Sequence, residues 1–442
     1  MSKVSKEELL ARARKPSEIA MKLHPFYQGK IEVSLKAPVR SYSDFAVWYT
    51  PGVAEPCKAI EKDRAKVYEM TNKGNAVAIV SNGTRVLGLG NIGPEAALPV
   101  MEGKALLFKY LGGVDAYPIC LDCTDVDELV SAVKWIQPSF GGVNLEDIEQ
   151  PLCFELLNRL REAAEIPVWH DDQQGSALVV LAGLLNALKV VGKKISEAKV
   201  TMLGSGAAGL CTANLLLDTG VKGENMLVSD INGILRVGLE PMTNQQKKLA
   251  ERTNPEGKEG DNVDAVKGAD VVIAFTGVLG LITQKMIRSM ADNAIVFAMA
   301  NPVPEIWPWD AKEAGAKIIS TGRSDLPNQV NNSLGFPGLF RGVLDVRART
   351  ITDGMCVAAA EELAKTAEDL GLSEDRILPL MEDREVYPRE AVAVALKAME
   401  EGVARLKLSR QELYDKAGAL IERARKQTGV MMREGFISKA PE

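Results

Sequence analysis

KVTMLGSGAAG, residues 199–209, is the stretch that decides the fold. A short apolar strand, Lys199–Leu203, runs into Gly204-Ser205-Gly206-Ala207-Ala208-Gly209, and the chain then reads as a helix to Thr219. A G-x-G-x-x-G alone says little. Between a strand and a helix it becomes a turn on which a dinucleotide can rest. Gly204 permits the tight turn. Gly206 lets backbone approach a pyrophosphate at the helix N-terminus, and Gly209 lets helix pack on strand. The next strand, Asn225–Ser229, leads to Asp230, 21 residues after Gly209. A carboxylate there accepts hydrogen bonds from an adenosine ribose. The competing reading is a glycine-rich turn that binds nothing.

Outward from this unit, strands and helices alternate. Downstream strands are read at Ala269–Ala274, Ala294–Ala298 and Ala316–Ser320. Upstream ones fall at Asn75–Val80, Val86–Leu89, Ala116–Leu121, Gly142–Leu145 and Pro167–His170. The helices between them begin at Pro94 (to about Leu111), Val126–Trp135, Leu152–Ala164 and Ser176–Val191. Such alternation predicts parallel βαβ units. Ser5–Leu23 reads as a helix, Thr243–Asn262 as a polar surface excursion, and the chain from Ala358 as four or five helices. The expectation is a two-domain α/β protein. Residues 1–175 form an N-terminal domain with a parallel sheet, and residues 176–334 a Rossmann-type NAD(P)-binding domain. Residues 335–442 form a helical segment packing back on the first.

Composition narrows the chemistry. The chain has 442 residues, a net charge of −6 and 46% hydrophobic residues, so no broad basic face for nucleic acid is expected. Its two histidines, His24 and His170, leave little room for a His-rich zinc site or a Ser-His-Asp triad. Six cysteines are too sparse for a disulfide scaffold, and Cys120-x-x-Cys123 lacks a second pair for zinc. Met1–Lys15 has no apolar core of a signal peptide. The longest apolar run, Ala177–Val191, is short of a membrane span and predicts a buried helix. A cytoplasmic protein without nucleic-acid or membrane partners is expected.

Three further constellations bear on function. Glu146-Asp147 follows one predicted strand and Asp171-Asp172 the next. In a right-handed βαβ unit both pairs emerge at the carboxyl ends of neighbouring strands, where open α/β sheets bind ligands. Converging carboxylates repel unless a cation sits among them, and hard oxygen donors favour Mg²⁺ or Mn²⁺. Helix capping by Asp147 and Asp172 is the plainer alternative. Lys104, on an apolar helix behind Gly88–Gly93, either snorkels to the surface or faces an enclosed site, where a lowered pKa would suit a base. Tyr49, in Trp48–Val53, is a structural turn residue or a proton donor needing nearby positive charge. Asn301 and the Asn328–Asn332 run supply amides at strand ends, for loop capping or for carboxylates and nicotinamide.

Taken together, YTPGVAEPC (49–57), LGLGNIGPEAALPVMEGKALLFK (87–109), NLEDI (144–148), IPVWHDDQQGSA (166–177), GSGAAG (204–209), ANPVPEI (300–306) and TGRSDLPNQVNNSLGFPGLFRG (321–342) resemble the malic enzymes in their short bacterial and archaeal form. The resemblance implies oxidative decarboxylation of (S)-malate to pyruvate and CO₂, with reduction of NAD(P)⁺ and a divalent metal. It implies metal ligands Glu146, Asp147 and Asp172, with Asp171 behind them. Lys104 matches the general base and Tyr49 the general acid. Arg85 matches an arginine that grips malate in some members. Asn301, Asn331 and Asn332 match the malate-binding amides, Asn301 also facing the cofactor. The family suggests a homodimer.

Ser205, Ser176 and Asn82 depart from the commoner small residue, threonine and aspartate, and none removes a named group. The chain lacks the phosphate-acetyltransferase-like extension of longer relatives, so regulation through that domain is not expected. Three alternatives stay open: a malolactic-type enzyme releasing lactate, a metal-free amino-acid dehydrogenase of similar plan, and a non-catalytic nucleotide sensor. NAD is favoured over NADP because Asp230 would repel a 2′-phosphate. Arg236, Lys247 and Lys248 are the cations that could oppose it.

Overall fold

Apolar runs and amphipathic helices build two parallel sheets in the computed structural model, which describes residues 6–301, 303–323 and 326–441. Ser5, where the first helix is read to begin, and Pro302 lie outside the described residues. The first sheet holds β1 (Ala76–Ser81), β2 (Asp115–Cys120), β3 (Gly142–Leu145) and β4 (Val168–His170), all parallel, in the order β2-β1-β3-β4. The second holds β5 (Val200–Leu203), β6 (Met226–Asp230), β7 (Gly233–Ile234), β8 (Val271–Ala274), β9 (Ile295–Ala298) and β10 (Ile318–Thr321), in the order β10-β9-β8-β5-β6-β7. Counted from β5, this is the order of the doubly wound dinucleotide fold, except that the two-residue β7 runs antiparallel to β6. Every residue of β1, β3, β5, β8 and β9 is buried. Strands covered on both faces read as continuous apolar runs, which is why they were legible.

The helix Ser176–Val191 follows the last strand of the first sheet and is almost wholly buried. Together with the turn before it, it is the one segment among the described residues long and apolar enough to cross a membrane, yet 72% of that window is buried within the protein. It is a core helix. The four helices Phe336–Asp345, Asp353–Leu370, Val386–Glu400 and Arg410–Arg433 close the chain. The first and last pack on Pro94–Gly112, and the second on Ser176–Val191. Phe108 seats the contact, its ring centroid 4.6 Å from Phe336 and 5.3 Å from Phe340. Buried Arg341 pairs with Asp345 through two nitrogens and reaches Asn75 with the third, so no buried charge is left unmatched there.

Two readings are corrected. Val86–Leu89 is not a strand: it makes only one bridge, Val86 to Gly90, and Leu87 and Leu89 are exposed. Gly83, Gly90 and Gly93 all take positive φ, so the chain wraps into a loop before Pro94 despite its apolar side chains. Residues 243–262 are not merely a surface excursion. They contain the helix Asn244–Ala250, closed by a Thr243/Gln246 capping box, and they bury Leu249, Ala250, Thr253 and Asn254. From residue 15 to 72, by contrast, no side chain is buried, although the segment is rich in apolar residues.

Candidate active site

Register assembles the acidic cluster. Val80 of β1 pairs with Leu145 of β3, and Leu145 with His170 of β4. The residues just past those strand ends, Glu146-Asp147 and Asp171-Asp172, therefore meet at one edge of the sheet. Asp147 turns at φ +54° and its backbone N–H donates to Asp172 Oδ2 at 2.9 Å. Asp171 is fully buried and accepts from Trp169 Nε1 at 3.0 Å. A Cβ at Gly175 would stand 2.0 Å from Asp171 Oδ1, so only glycine lets the 171–175 turn close around that carboxylate.

Oxygens of Glu146, Asp147 and Asp172 all lie within 4.8 Å of one another. Asp147 Oδ2 is buried and meets no hydrogen-bond partner among the described residues. Burial, then the neighbouring Asp172, push the Asp147 carboxyl up to about 8. Burial likewise raises Glu146, with Asp172, Asp171 and Asp147 adding to the rise against the pull of Lys104. Crowded hard oxygens, one of them orphaned, fit a divalent cation.

Lys104 projects from the Pro94–Gly112 helix into the same place and is 7% exposed. Its Nζ lies 2.8 Å from Glu146 Oε1, pairs with Asp171, and sits 4.4 Å above the Phe336 ring. The lowered pKa that enclosure alone would give is reversed. Burial pushes the ammonium down, but Asp171 and Glu146 outweigh it and hold Lys104 above the ordinary lysine range. Beneath the cluster, His170 is fully buried, neither ring nitrogen has a hydrogen-bond partner among the described residues, and its Nδ1 is 3.7 Å from Asp172. Burial lowers its pKa, so the ring stays neutral.

The candidate amides belong to the second unit. Asn301 Nδ2 and Asn331 Nδ2 both donate to the Gly322 carbonyl, at 3.4 and 3.3 Å. Asn332 packs beside Gly175, its Cβ 3.2 Å from where a Gly175 Cβ would stand. Asn328 belongs to the loop framework instead, bonding Ile319, Glu374 and Ile377 backbone. Arg85 is exposed; its backbone N–H donates to Asp147 O at 3.1 Å. Tyr49 ends the short helix Asp44–Trp48 and is 70% exposed. Among the described residues, no hydrogen bond joins its hydroxyl to the cluster.

The glycine turn after β5 behaves as its spacing implies. Gly204 has φ +98°, and a Cβ there would lie 2.8 Å from Phe275 O. A Cβ at Gly209 would strike Gly204 O at 2.1 Å, whereas around Gly206 the space is open. Asp230 ends β6 and accepts from Ser205 Oγ at 2.6 Å, Gln246 Nε2 at 3.0 Å and Asn232 N at 2.8 Å. Gln246 also donates to Ser205 Oγ at 2.6 Å. Sequence reasoning missed Gln246. Its one signal was the Thr243-x-x-Gln246 capping pattern, which announces a helix and not a ribose-side contact. Ala207 and Ala208 open the helix Ala207–Asp218.

With this geometry in hand, comparison with known proteins is specific. Residues 28–161 match the family description "Malic enzyme, N-terminal domain", and residues 173–399 match "Malic enzyme, NAD binding domain". A bifunctional malic/malolactic enzyme of Bacillus subtilis is 51% identical over 91% of this chain and 98% of its own length. An NAD-dependent malic enzyme of Geobacillus stearothermophilus is 48% identical over 85% of this chain and 78% of its own length. The crystal structure of Entamoeba histolytica malic enzyme superposes with a TM-score of 0.97 at 42% identity, covering 100% of this chain and 93% of that one. Two matched domains, in order and over most of the sequence, place this chain in the malic enzyme family.

Proposed function

We propose that this protein oxidises (S)-malate and decarboxylates it to pyruvate and CO₂, passing the hydride to a nicotinamide dinucleotide. The observation that carries this is one sheet edge holding three convergent carboxylates and a buried lysine against two of the four acids, with Asn332 of the cofactor unit packed beside the Gly175 turn. Residues 1–175 act as the catalytic unit and 176–334 as the cofactor unit, with the helices of 335–442 returning to the first.

Glu146, Asp147 and Asp172 are the residues that would hold Mg²⁺ or Mn²⁺, which when bound supplies Lewis-acid polarisation of the substrate oxygens. Asp171 and Glu146 hold Lys104 protonated in the empty cluster. With their charge offset by a bound cation, Lys104 would give up that proton and its free amine would take the C2 hydroxyl proton, with Asp171 fixing its direction. Tyr49 donates a proton to the substrate carbon left by CO₂. Asn301, Asn331, Asn332 and Arg85 orient the malate carboxylates.

NAD⁺ is the preferred cofactor in this proposal, although relatives include both NAD-dependent and NADP-dependent enzymes. Asp230 ends β6, where the doubly wound fold brings the adenosine ribose, and a 2′-phosphate about 4 Å from it would be repelled by up to about 4 kcal/mol. Two of the cations that could compensate are drawn elsewhere: Arg236 lies 2.9 Å from Glu259 and Lys247 2.7 Å from Glu240.

A homodimer accounts for the uncovered segment. Met21, Val33, Leu35, Tyr42, Val47 and Trp48 are all exposed in the single chain, apolar surface that a second copy would cover. A second copy covering it would also shield Tyr49 from water. Sedimentation giving twice the chain mass supports this; a monomer at micromolar concentration opposes it.

The activity is tested by initial rates with (S)-malate, crossing NAD⁺ and NADP⁺ with Mn²⁺ or chelator, and by identifying the product. Pyruvate with stoichiometric reduced cofactor, lost on chelation, is expected. Lactate without net cofactor reduction would instead make the enzyme malolactic.

A further inference from the structure

Glu305 is a fully buried carboxylate that the chemistry above does not use. It lies where the second sheet ends, in the loop after β9, and each of its oxygens serves a different loop. Oε1 accepts from the Thr276 backbone N–H at 2.8 Å and from the Thr276 hydroxyl at 3.1 Å. Oε2 accepts from the Ala300 N–H at 3.0 Å. Thr276 follows β8, and Ala300 immediately precedes Asn301.

Beside the carboxylate, the Ile282 N–H donates to Glu305 O at 3.3 Å, the Leu281 N–H to Val278 O at 3.3 Å and the Asn301 amide to Gly322 O at 3.4 Å, but Thr276 and Ala300 are held by the carboxylate itself. Residues 275–280 contain Gly277 and Gly280, both at positive φ, and expose Val278 and Leu279. Thr276 Oγ1 also accepts from Val278 N at 3.2 Å, so the bond to Glu305 extends along the loop. On the other side, the same loop abuts the cofactor turn, with Phe275 O closing on Gly204. In the doubly wound fold the strands beyond the switch point, here β8 and β9, carry the second half of the dinucleotide at their carboxyl ends. Hydrogen bonds to a buried charged acceptor are stronger than neutral ones.

We propose that Glu305 is a positioning residue for the nicotinamide half of the cofactor cleft: it clamps the loop after β8 to the loop after β9 and so sets the direction of Asn301. This rests on the proposed dinucleotide-dependent activity. The carboxylate touches neither substrate nor reacting atoms. Its effect reaches them through the Thr276 and Ala300 backbone.

The test is Glu305→Gln in the full-length, Mn²⁺-supplemented protein. An amide there turns an N–H₂ toward an N–H donor. Dissociation constants are measured for NAD⁺ and for ADP-ribose, which lacks the nicotinamide, beside kcat and KM. The expected result is a tenfold or greater rise in Kd and KM for NAD⁺, with ADP-ribose binding within twofold of wild type. Equal loss for both ligands would mean a general structural role and overturn the clamp, as would unchanged NAD⁺ binding. If Glu305→Gln fails to melt cooperatively, Thr276→Val removes the hydroxyl's bonds to Glu305 and to the Val278 N–H and leaves the backbone bond in place. It should weaken NAD⁺ two- to fivefold and spare ADP-ribose, and no selective change overturns the clamp. Wild type that binds neither NAD⁺ nor NADP⁺ would sink the proposed activity and the clamp together. Wild type that binds, beside variants that bind equally well, sinks the clamp alone.

Discussion

Lys104 Nζ lies 2.8 Å from Glu146 Oε1, and both side chains are almost wholly buried. One ammonium therefore faces an acidic cluster it cannot neutralise: Glu146, Asp147, Asp171 and Asp172 contribute four carboxylates. The imbalance makes the site a cation acceptor first and a lysine–carboxylate pair second.

Thermal stability should follow. Anything that binds only the folded state raises the melting temperature by mass action, so Mn²⁺ should stabilise the wild type in a concentration-dependent way. Asp172→Asn removes one anionic donor from a hard-cation site. The variant should keep its fold, lose at least tenfold in Mn²⁺ affinity read from that shift, and lose most malate oxidation. Wild-type-like turnover at limiting Mn²⁺ would remove Asp172 from the ligand set.

The acid and the base should separate kinetically. Tyr49 is assigned a proton transfer that follows loss of CO₂, whereas Lys104 takes part in hydride transfer. Tyr49→Phe should then spare reduction of an added 2-oxo acid by reduced cofactor more than it spares malate decarboxylation. Lys104→Ala should depress both by a hundredfold or more, the usual scale for a positioned acid or base. Equal losses in the Tyr49 variant would contradict the division.

Cofactor choice should depend on Asp230. The carboxylate is held by Ser205, Gln246 and the Asn232 backbone, so it is fixed in place rather than free to swing from a phosphate. Asp230→Ala should lower kcat/KM for NAD⁺ about tenfold and narrow the NAD⁺/NADP⁺ ratio. A wild type preferring NADP⁺, or a variant with unchanged selectivity, would show that Asp230 does not read the ribose.

How much of this was legible depends on the range of the interaction. Val143, Leu145 and Val200–Leu203 announce themselves because strands buried on both faces need apolar side chains throughout. The glycines at 204, 206 and 209 carry their geometry in their spacing. Val86–Leu89 misleads because Val and Leu look like a strand, while the glycines around them impose the turn. The contact between Lys104 and Asp171 spans 67 positions and exists only once β1, β3 and β4 are in register. Gln246 reaches Asp230 from a polar stretch whose local pattern speaks only of helix capping. The lack of any buried residue from 15 to 72 is invisible in composition, since those apolar side chains look like core until the fold leaves them outside.

Glu390 supplies a pH dependence unrelated to catalysis. It sits on the Val386–Glu400 helix, fully buried, and neither carboxylate oxygen has a hydrogen-bond partner among the described residues. A Cβ at Gly338 of the facing helix would stand 2.1 Å from Oε2, so the carboxyl is pressed against apolar backbone. Tyr387, one turn earlier and also buried, is the ionisable neighbour whose pKa the carboxylate helps to raise. Burial pushes the Glu390 pKa well above that of an exposed glutamate. The folded protein thus keeps this proton while the unfolded chain releases it above about pH 4.3. Below that pH both states are protonated and the group costs nothing. As pH rises toward the folded pKa, the unfolded state gains by ionising, and stability falls by about 1.4 kcal/mol per pH unit from this group. Glu390→Gln keeps the shape and removes the titration. Chemical denaturation of both proteins, each saturated with Mn²⁺, should give stability curves that separate as pH rises from about 4.5, the variant lying higher. Parallel curves across that range would mean that Glu390 is ionised in the folded protein and paired with a group that moves to meet it.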